Sequence, residues 1–533
     1  MRLAGLGFAG LIGGLICAGQ MLPVLEFTSR TMRSAPDGPH DIYPFSVEPY
    51  RMAEWIWPQV FGSHLAGNNT WGIFLPPQHK TFIWVPSLYM GILPIILAVS
   101  AMGFRGQGAR RVWLSWIAVV SMVASIGEYA GPLWVARCIA PVAKIVGPHD
   151  PNETSAIRTD AKMRDGDGSV YGLMAVTLPG FSGFRYPAKL LTFTCLSVAG
   201  LAGIGFDRLL AGRSRRALRV AWILTIVSAF LFILVQWEQK QIISWFTSKA
   251  ILKGPSAFGP FDVLATWKEL RFSLFYGTIF LGLSVVGLIS LKRLPQIATS
   301  FILLLVTADL VLANSPLVLT VPQSIFEDVP EVLTRIAESE AADPSPGPFR
   351  VHRMPYWDPV GFHFVSSPDR NREMVEWERK TLQPKYGIPL GISYTITEGV
   401  AELYDLSWFF APFYVDLNVE GGLRENAKTP KLIYFPRRGF DLWATRYFVI
   451  PAVRGNDERR GSAAFSFDVE LVWPKKDDRA EFRDEWEKHE DWRIYKNKRA
   501  FPRAWIVHQA EFGHPIEGDS RESRNDRNQL VGY

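Results

Sequence analysis

Apolar runs of roughly 18–22 residues recur through the first 314 positions and then stop. A helix of that length crosses a hydrocarbon core, so each run is read as a span. The pattern predicts seven of them, at about 3–25, 84–103, 112–127, 187–206, 217–236, 272–291 and 297–314. Their connections alternate in character. "RGQGARR" (105–111), "DRLLAGRSRRALR" (207–219) and "KRLPQ" (292–296) are short and basic, whereas 26–83, 128–186 and 237–271 are long and mixed. Short basic loops stay in the cytoplasm. An odd number of spans with Arg2 inside then places everything after Asn314 outside.

Within the long connections, "EPYRMAEWIWPQVFG" (48–62) and "ISWFTSKAIL" (243–252) suit short helices lying in the membrane interface. Segment 132–146 is apolar but short, with an internal Pro141, and reads as interfacial, re-entrant or spanning; 147–172 reads as a polar loop. Beyond the last span the signals mix. "KLIYF" (431–435), "RYFVI" (446–450), "FDVELVW" (467–473) and "AWIVHQ" (504–509) have strand composition, and "AEFRDEWEKHEDW" (480–492) reads as a charged surface helix. The expected architecture is an α-helical polytopic membrane domain over 1–314 and an extracytoplasmic α+β domain over 315–515. The tail 516–533 is too polar to fold alone.

Composition changes this picture little. The 533 residues are 48% hydrophobic with a formal charge of +6, an average that hides two unlike halves. Much of the basic excess flanks the spans, so it calls for membrane lipid and no nucleic acid. Cys17, Cys138 and Cys195 all fall in apolar segments, which leaves the polar domain without a disulfide framework. The start of the chain resembles a signal peptide, but its apolar run continues through Met21, Leu22, Val24 and Leu25, and residues 3–25 are read as a span.

Candidate chemistry gathers at the long-loop side. Arg185 and Lys189 stand at the entrance of the fourth span, with Pro187 suited to a first helical turn. Two cations beside exposed N–H groups form an anion site suited to phosphate; the competing reading is that both snorkel to headgroups. Glu26, with Arg30 four residues on, is a candidate general base or a salt-bridged helix end. Asp37, His40 and Asp41 sit in a Pro/Gly turn and could bind a metal or a polar substrate. Glu54 and Glu128 are further membrane-proximal carboxylates, and Asp309 lies inside the last apolar run, where an ionisable group faces protein or a cavity. Asn68 and Asn152 begin glycosylation-type triplets, and Trp55, Trp57, Trp71 and Trp84 fit an interfacial aromatic belt. There is no phosphate-binding Gly loop, zinc-protease helix or nucleophile elbow. No metal site is assigned; a divalent cation is compatible with the carboxylates.

Several passages in succession resemble a known family. "LPVLEFTSRTMRS" (22–34), "SVEPYRMAEWIWPQVFG" (46–62), "FRYPAKLL" (184–191), "TADLVLANSPLVLTVP" (307–322), "LWATRYFVIP" (442–451) and "YKNKRAFPRAWIV" (495–507) are similar, in order, to the bacterial YfhO-like membrane proteins. These belong to the lipid-phosphate-sugar-dependent glycosyltransferases of GT-C type. The resemblance implies transfer of a sugar from a polyprenyl-phosphate carrier to an extracytoplasmic cell-envelope acceptor, at the bacterial inner membrane. It implies that Arg185, Tyr186 and Lys189 hold the carrier phosphate, and that Glu26 occupies a family position. Relative to that pattern the chain lacks the earlier spans before Met1 and the closing part after about residue 510, so it is expected to be a truncated or inactive copy. The alternatives are a cell-envelope scaffold or glycan-binding membrane protein, and, disfavoured by the scarcity of mid-span charges, a transporter.

Overall fold

A computed structural model describes residues 2–31, 42–63, 65, 67–75, 85–106, 108–138, 166–178, 181, 184–212, 216–354, 358–396, 414–416, 432–434, 437–451, 463–465, 469–474 and 492–505. It divides into two compact units. One holds residues 40–320 with 363–371; the other holds 1–39, 321–362 and 372–533.

The first unit is a helix bundle. Its elements are α2 (Ile92–Ala101), α3 (Ala109–Ser125), α4 (Pro132–Cys138), α5 (Val170–Thr177), α6 (Leu191–Leu210), α7 (Arg216–Trp237), α8 (Gln239–Lys253), α9 (Val263–Ser290) and α10 (Pro295–Asn314). Apolar side chains cover the outside of this unit as well as filling its core, where Ile92, Leu93, Leu281 and Ile302 meet. Ile223, Ile226, Phe230 and Ile233 of α7, and Leu303, Leu304, Val311 and Leu312 of α10, face outward, while Ser228, Ser273, Ser284 and Gly205 are buried. Hydrocarbon solvates the outward side chains at no cost, and small and hydroxyl residues share the helix contacts with the apolar core. Ser121 and Thr194 pair their hydroxyls at 2.8 Å between α3 and α6, and Ser228 and Thr278 do so at 2.9 Å between α7 and α9. A Cβ on Gly205 would collide with the Leu97 carbonyl, so α6 and α2 approach at a distance only glycine permits.

Helices occur at all seven predicted spans, but five are long and apolar enough to cross a membrane: those over Gly7–Ser29, Pro187–Leu210, Arg216–Trp237, Val263–Ser290 and Pro295–Leu317. The other two are shorter. Helix α3 has 17 residues, with Arg110 and Arg111 in its first turn. Helix α2 has 10 residues, because the chain over 85–91 is not helical and Gly91 takes φ 90°. The buried N–H of Ile92 instead donates to the Asp309 carboxylate of α10 at 2.9 Å. Segment 243–252 is helical within α8, whereas 48–62 is no amphipathic helix: a 3-10 turn over Pro49–Trp55 buries Arg51 and Glu54. Of 132–146, only α4 falls within the described residues.

In the other unit, α1 (Arg2–Ser29) has none of its apolar window buried against protein. The rest is mixed α and β. β1 (Arg350–Arg353), β4 (Thr445–Pro451), β7 (Trp492–Lys496) and β6 (Glu470–Trp473) form one sheet in the order β1-β4-β7-β6. β2 (Tyr414–Asp416), β3 (Leu432–Tyr434) and β5 (Ala463–Phe465) form a second, in the order β2-β3-β5. Helix α11 (Glu331–Ala342) places Val332 and Ile336 on the larger sheet, against Val351, Tyr447, Val449, Trp492 and Ile494. The predicted strands at 431–435, 446–450 and 467–473 overlap β3, β4 and β6. The predicted helix at 480–492 lies outside the described residues except for its last position, Trp492, which begins β7. Of 504–509 only Ala504 and Trp505 are described, and neither is in a strand; the tail 516–533 lies outside the described residues.

Candidate functional site

Three segments distant in sequence converge at the long-loop end of the bundle. The first is the chain entering the 3-10 turn Pro49–Trp55, the second the turn Gly127–Ala130 that ends α3, the third the turn Pro187–Leu190 that begins α6. The Val47 N–H donates to the Ser125 carbonyl at 3.0 Å, and the Glu128 N–H donates to Ser46 Oγ at 3.2 Å. Gly127 has φ 56°, and a Cβ there would strike Ser46 Oγ and Pro187; only glycine fits. The Phe45 and Tyr186 rings meet edge to face at 4.8 Å, and both residues hold positive φ (59° and 72°). Val47, Leu88, Ala188 and Leu191 form the small core beneath.

This packing gathers five predicted residues, Glu54, Glu128, Arg185, Tyr186 and Lys189, and their neighbours. Lys189 reaches over the Tyr186 ring, Nζ to centroid 4.8 Å, and is exposed; Arg185 is partly buried beside it. On the other side Arg51 and Glu54, each 3% exposed, make a bidentate pair at 2.8 and 2.9 Å. Arg51 also donates to the Val85 carbonyl at 2.8 Å, and Glu54 accepts from the Leu88 N–H at 3.2 Å. The pair thus serves the non-helical backbone leading into α2.

Sequence reasoning passed over Glu48, although "SVEPYRM" was in view. It is buried, and its own backbone N–H donates to its carboxylate. Burial raises this carboxyl above its ordinary range; Arg51 pulls it back, and Glu54 and Glu128 push it up again. Glu128 is buried next to Tyr129, whose phenol is raised by burial and by the Glu128 and Glu48 charges. Three carboxylates, Tyr129 and Arg51 therefore lie within electrostatic reach of one another. The signal for Glu48 was its spacing from Arg51 and Glu54, which places all three on one short turn.

The remaining candidates sit elsewhere. Asp309 is buried and enclosed: Tyr89 and Tyr276 donate their hydroxyls to Oδ1, and Ile92 N–H donates to Oδ2. Its acceptors serve helix packing and face protein. Glu26 pairs with Arg30 at 2.9 Å on the outside of α1, both side chains about two-thirds exposed at 67% and 69%. Asp37, His40 and Asp41 lie outside the described residues, as does Asn152. Asn68 is buried and donates to the Gly254 and Gly259 carbonyls at 3.2 and 2.8 Å, which removes it as a glycan acceptor in this fold. Among the described residues, no group of three or more His, Cys, Asp or Glu is arranged to hold a metal ion. Comparison with protein-family models, curated proteins and solved structures finds no match to this chain.

Proposed function

We propose that the chain is a membrane glycosyltransferase-like protein that uses a polyprenyl-phosphate-linked sugar at the outer face of the bacterial inner membrane and passes the sugar to a cell-envelope acceptor. The observation that carries this reading is the convergence, at one end of the bundle, of the helix entrance that bears Arg185, Tyr186 and Lys189 with the segments that bear the buried Glu48, Glu54 and Glu128. The basic stretches 105–111 and 207–219 adjoin α3 and α6 at the ends away from Gly127–Ala130 and Pro187–Leu190, which supports an outward-facing site.

In this reaction the acceptor oxygen attacks the anomeric carbon while the bond from that carbon to the phosphate oxygen breaks. The leaving phosphate stays on its lipid and is neutralised by Arg185 and Lys189. A phosphate leaves without protonation, so one base suffices. Glu48, held in the cluster with its carboxyl raised, suits that role better than Glu26, which is tied to Arg30 on an exposed surface. The test uses the full chain in nanodiscs with undecaprenyl phosphate. Arg185→Ala with Lys189→Ala is expected to weaken binding at least tenfold, whereas Glu48→Gln leaves carrier binding intact and abolishes transfer of the sugar. Unchanged binding in the double variant removes the proposal.

A further inference from the structure

Helix α5, Val170–Thr177, is an eight-residue helix at the long-loop end of the bundle, in a stretch the sequence pattern assigned to polar and mixed loops. No charged residue occurs from Ser169 to Phe184. One face is anchored. Ser169 caps the helix by accepting from the Gly172 N–H at 3.0 Å, Tyr171 and Gly172 are buried, and the Tyr43 hydroxyl ties the preceding turn through the Gly166 carbonyl at 2.8 Å. The other face is bare and apolar: Val176 is 86% exposed, Leu173 54% and Leu178 45%.

The chain then folds back to the cations. Phe181 stacks between Tyr171 and Phe184, at 5.5 Å from each, and the Tyr171 hydroxyl donates to the Phe184 carbonyl at 3.3 Å. Phe184, 62% exposed, directly precedes Arg185. An anchored apolar ledge and a pair of cations are thus linked through the contacts of one tyrosine. That arrangement has the two-part chemistry of an amphiphile, hydrocarbon beside an anion.

We infer that the apolar face of α5 with Phe184 is a rest for the hydrocarbon chain of a lipid monophosphate whose headgroup is held at Arg185 and Lys189. This rests on the proposed function and adds to it the part of the protein that receives the chain. The ledge acts through position and not through affinity. A chain already in hydrocarbon gains little by moving onto Leu or Val, but a fixed ledge fixes how far the phosphate stands from the carboxylates. The cations supply the charge complementarity that distinguishes this ledge from the ordinary lipid-facing flank of α6, which carries Phe193 and Leu196.

The experiment reconstitutes the full chain in nanodiscs with an isoprenyl monophosphate bearing a diazirine near its phosphate end. Irradiation and mass spectrometry then map the adducts. Adducts are expected on 173–178 and Phe184, falling at least fivefold in Arg185→Ala with Lys189→Ala and persisting in the charge-conserving Arg185→Lys with Lys189→Arg. Adducts confined to the Phe193–Leu196 flank, yet still dependent on the cations, would overturn the ledge and leave the carrier site standing. Adducts on α5 that ignore the cations would overturn the inference, since the helix would then meet bulk lipid only. An absence of cation-dependent adducts anywhere would overturn both.

Discussion

In the sheet unit Glu340 accepts hydrogen bonds from Arg446 Nε at 2.7 Å and from the Tyr447 hydroxyl at 2.6 Å, while Lys496 and Arg446 share Asp343. In the bundle Glu48 is buried near an arginine already committed to Glu54. Burial pushes both glutamates up, but the bonds from Tyr447, Arg446 and Ser345 outweigh it and hold Glu340 below the ordinary range, whereas Glu48 stays above. The same side chain is stabilised as an anion in one place and made more basic by burial in the other. A balanced cluster fastens α11 to β4 and β7. An unbalanced one costs stability, and such costs are retained where a group has work to do.

Substitutions can break this contrast. The largest effect is expected from Arg51→Ala, which strands Glu54 in a site where both partners are 3% exposed. Removing one member of such a pair costs about 3–5 kcal/mol. Thermal unfolding in nanodiscs measures it, and a loss below about 1 kcal/mol would mean the cluster is wet and behaves as a surface pair. Next comes Glu340→Gln, with a loss of about 1–3 kcal/mol at neutral pH, because the buried Arg446 loses its shorter ion pair and keeps only Asp343 at 3.5 Å. Its pH dependence has a defined sign. A carboxyl held low in the folded state stabilises above its unfolded pKa of 4.5 and loses that contribution as pH falls through the folded value, so variant and parent converge in acid.

Glu48→Gln is expected to act in the reverse direction and by less. A carboxyl raised by folding keeps its proton while the unfolded chain ionises, so stability drops as pH climbs from 4.5 through the folded value. The amide removes that penalty: the variant is more stable than the parent at neutral pH and equal to it below pH 4.5. A neutral-pH destabilisation would show that Glu48 is paired after all, and would erase the comparison.

Much of the bundle was legible from its sequence because hydrocarbon demands unbroken apolar runs; all seven runs correspond to helices. The second was overextended, since Val85–Met90 are apolar or small enough to continue a run while the backbone there is not helical. Helix α5 was hidden inside a connection judged by its average polarity. In the sheet unit, β4 was visible through "RYFVI", but β1 and β7 carry Arg350, Arg353, Arg493 and Lys496 and went unassigned as strands. Their heads are accommodated by tertiary partners, as Lys496 is by Asp343, which no local pattern announces. At the site the cations were readable from their place at a helix entrance. The inward turn of Glu48, Arg51 and Glu54 was not, because charge next to a membrane most often means exposure.

Helix α2 spans about 15 Å, half of a hydrocarbon core of about 30 Å. The non-helical chain above it, buried at Leu88 and Tyr89, makes one bond of its own, from the Tyr89 N–H to Ser87 Oγ, and three side chains from elsewhere supply others: Arg51 on the Val85 carbonyl, Glu54 on the Leu88 N–H, Asp309 on the Ile92 N–H. Those contacts set a fixed thickness at this wall of the molecule. Bilayers with longer acyl chains would bury the unwound strand more deeply and load all three contacts at once, so the response of the protein to membrane thickness is concentrated in ten residues.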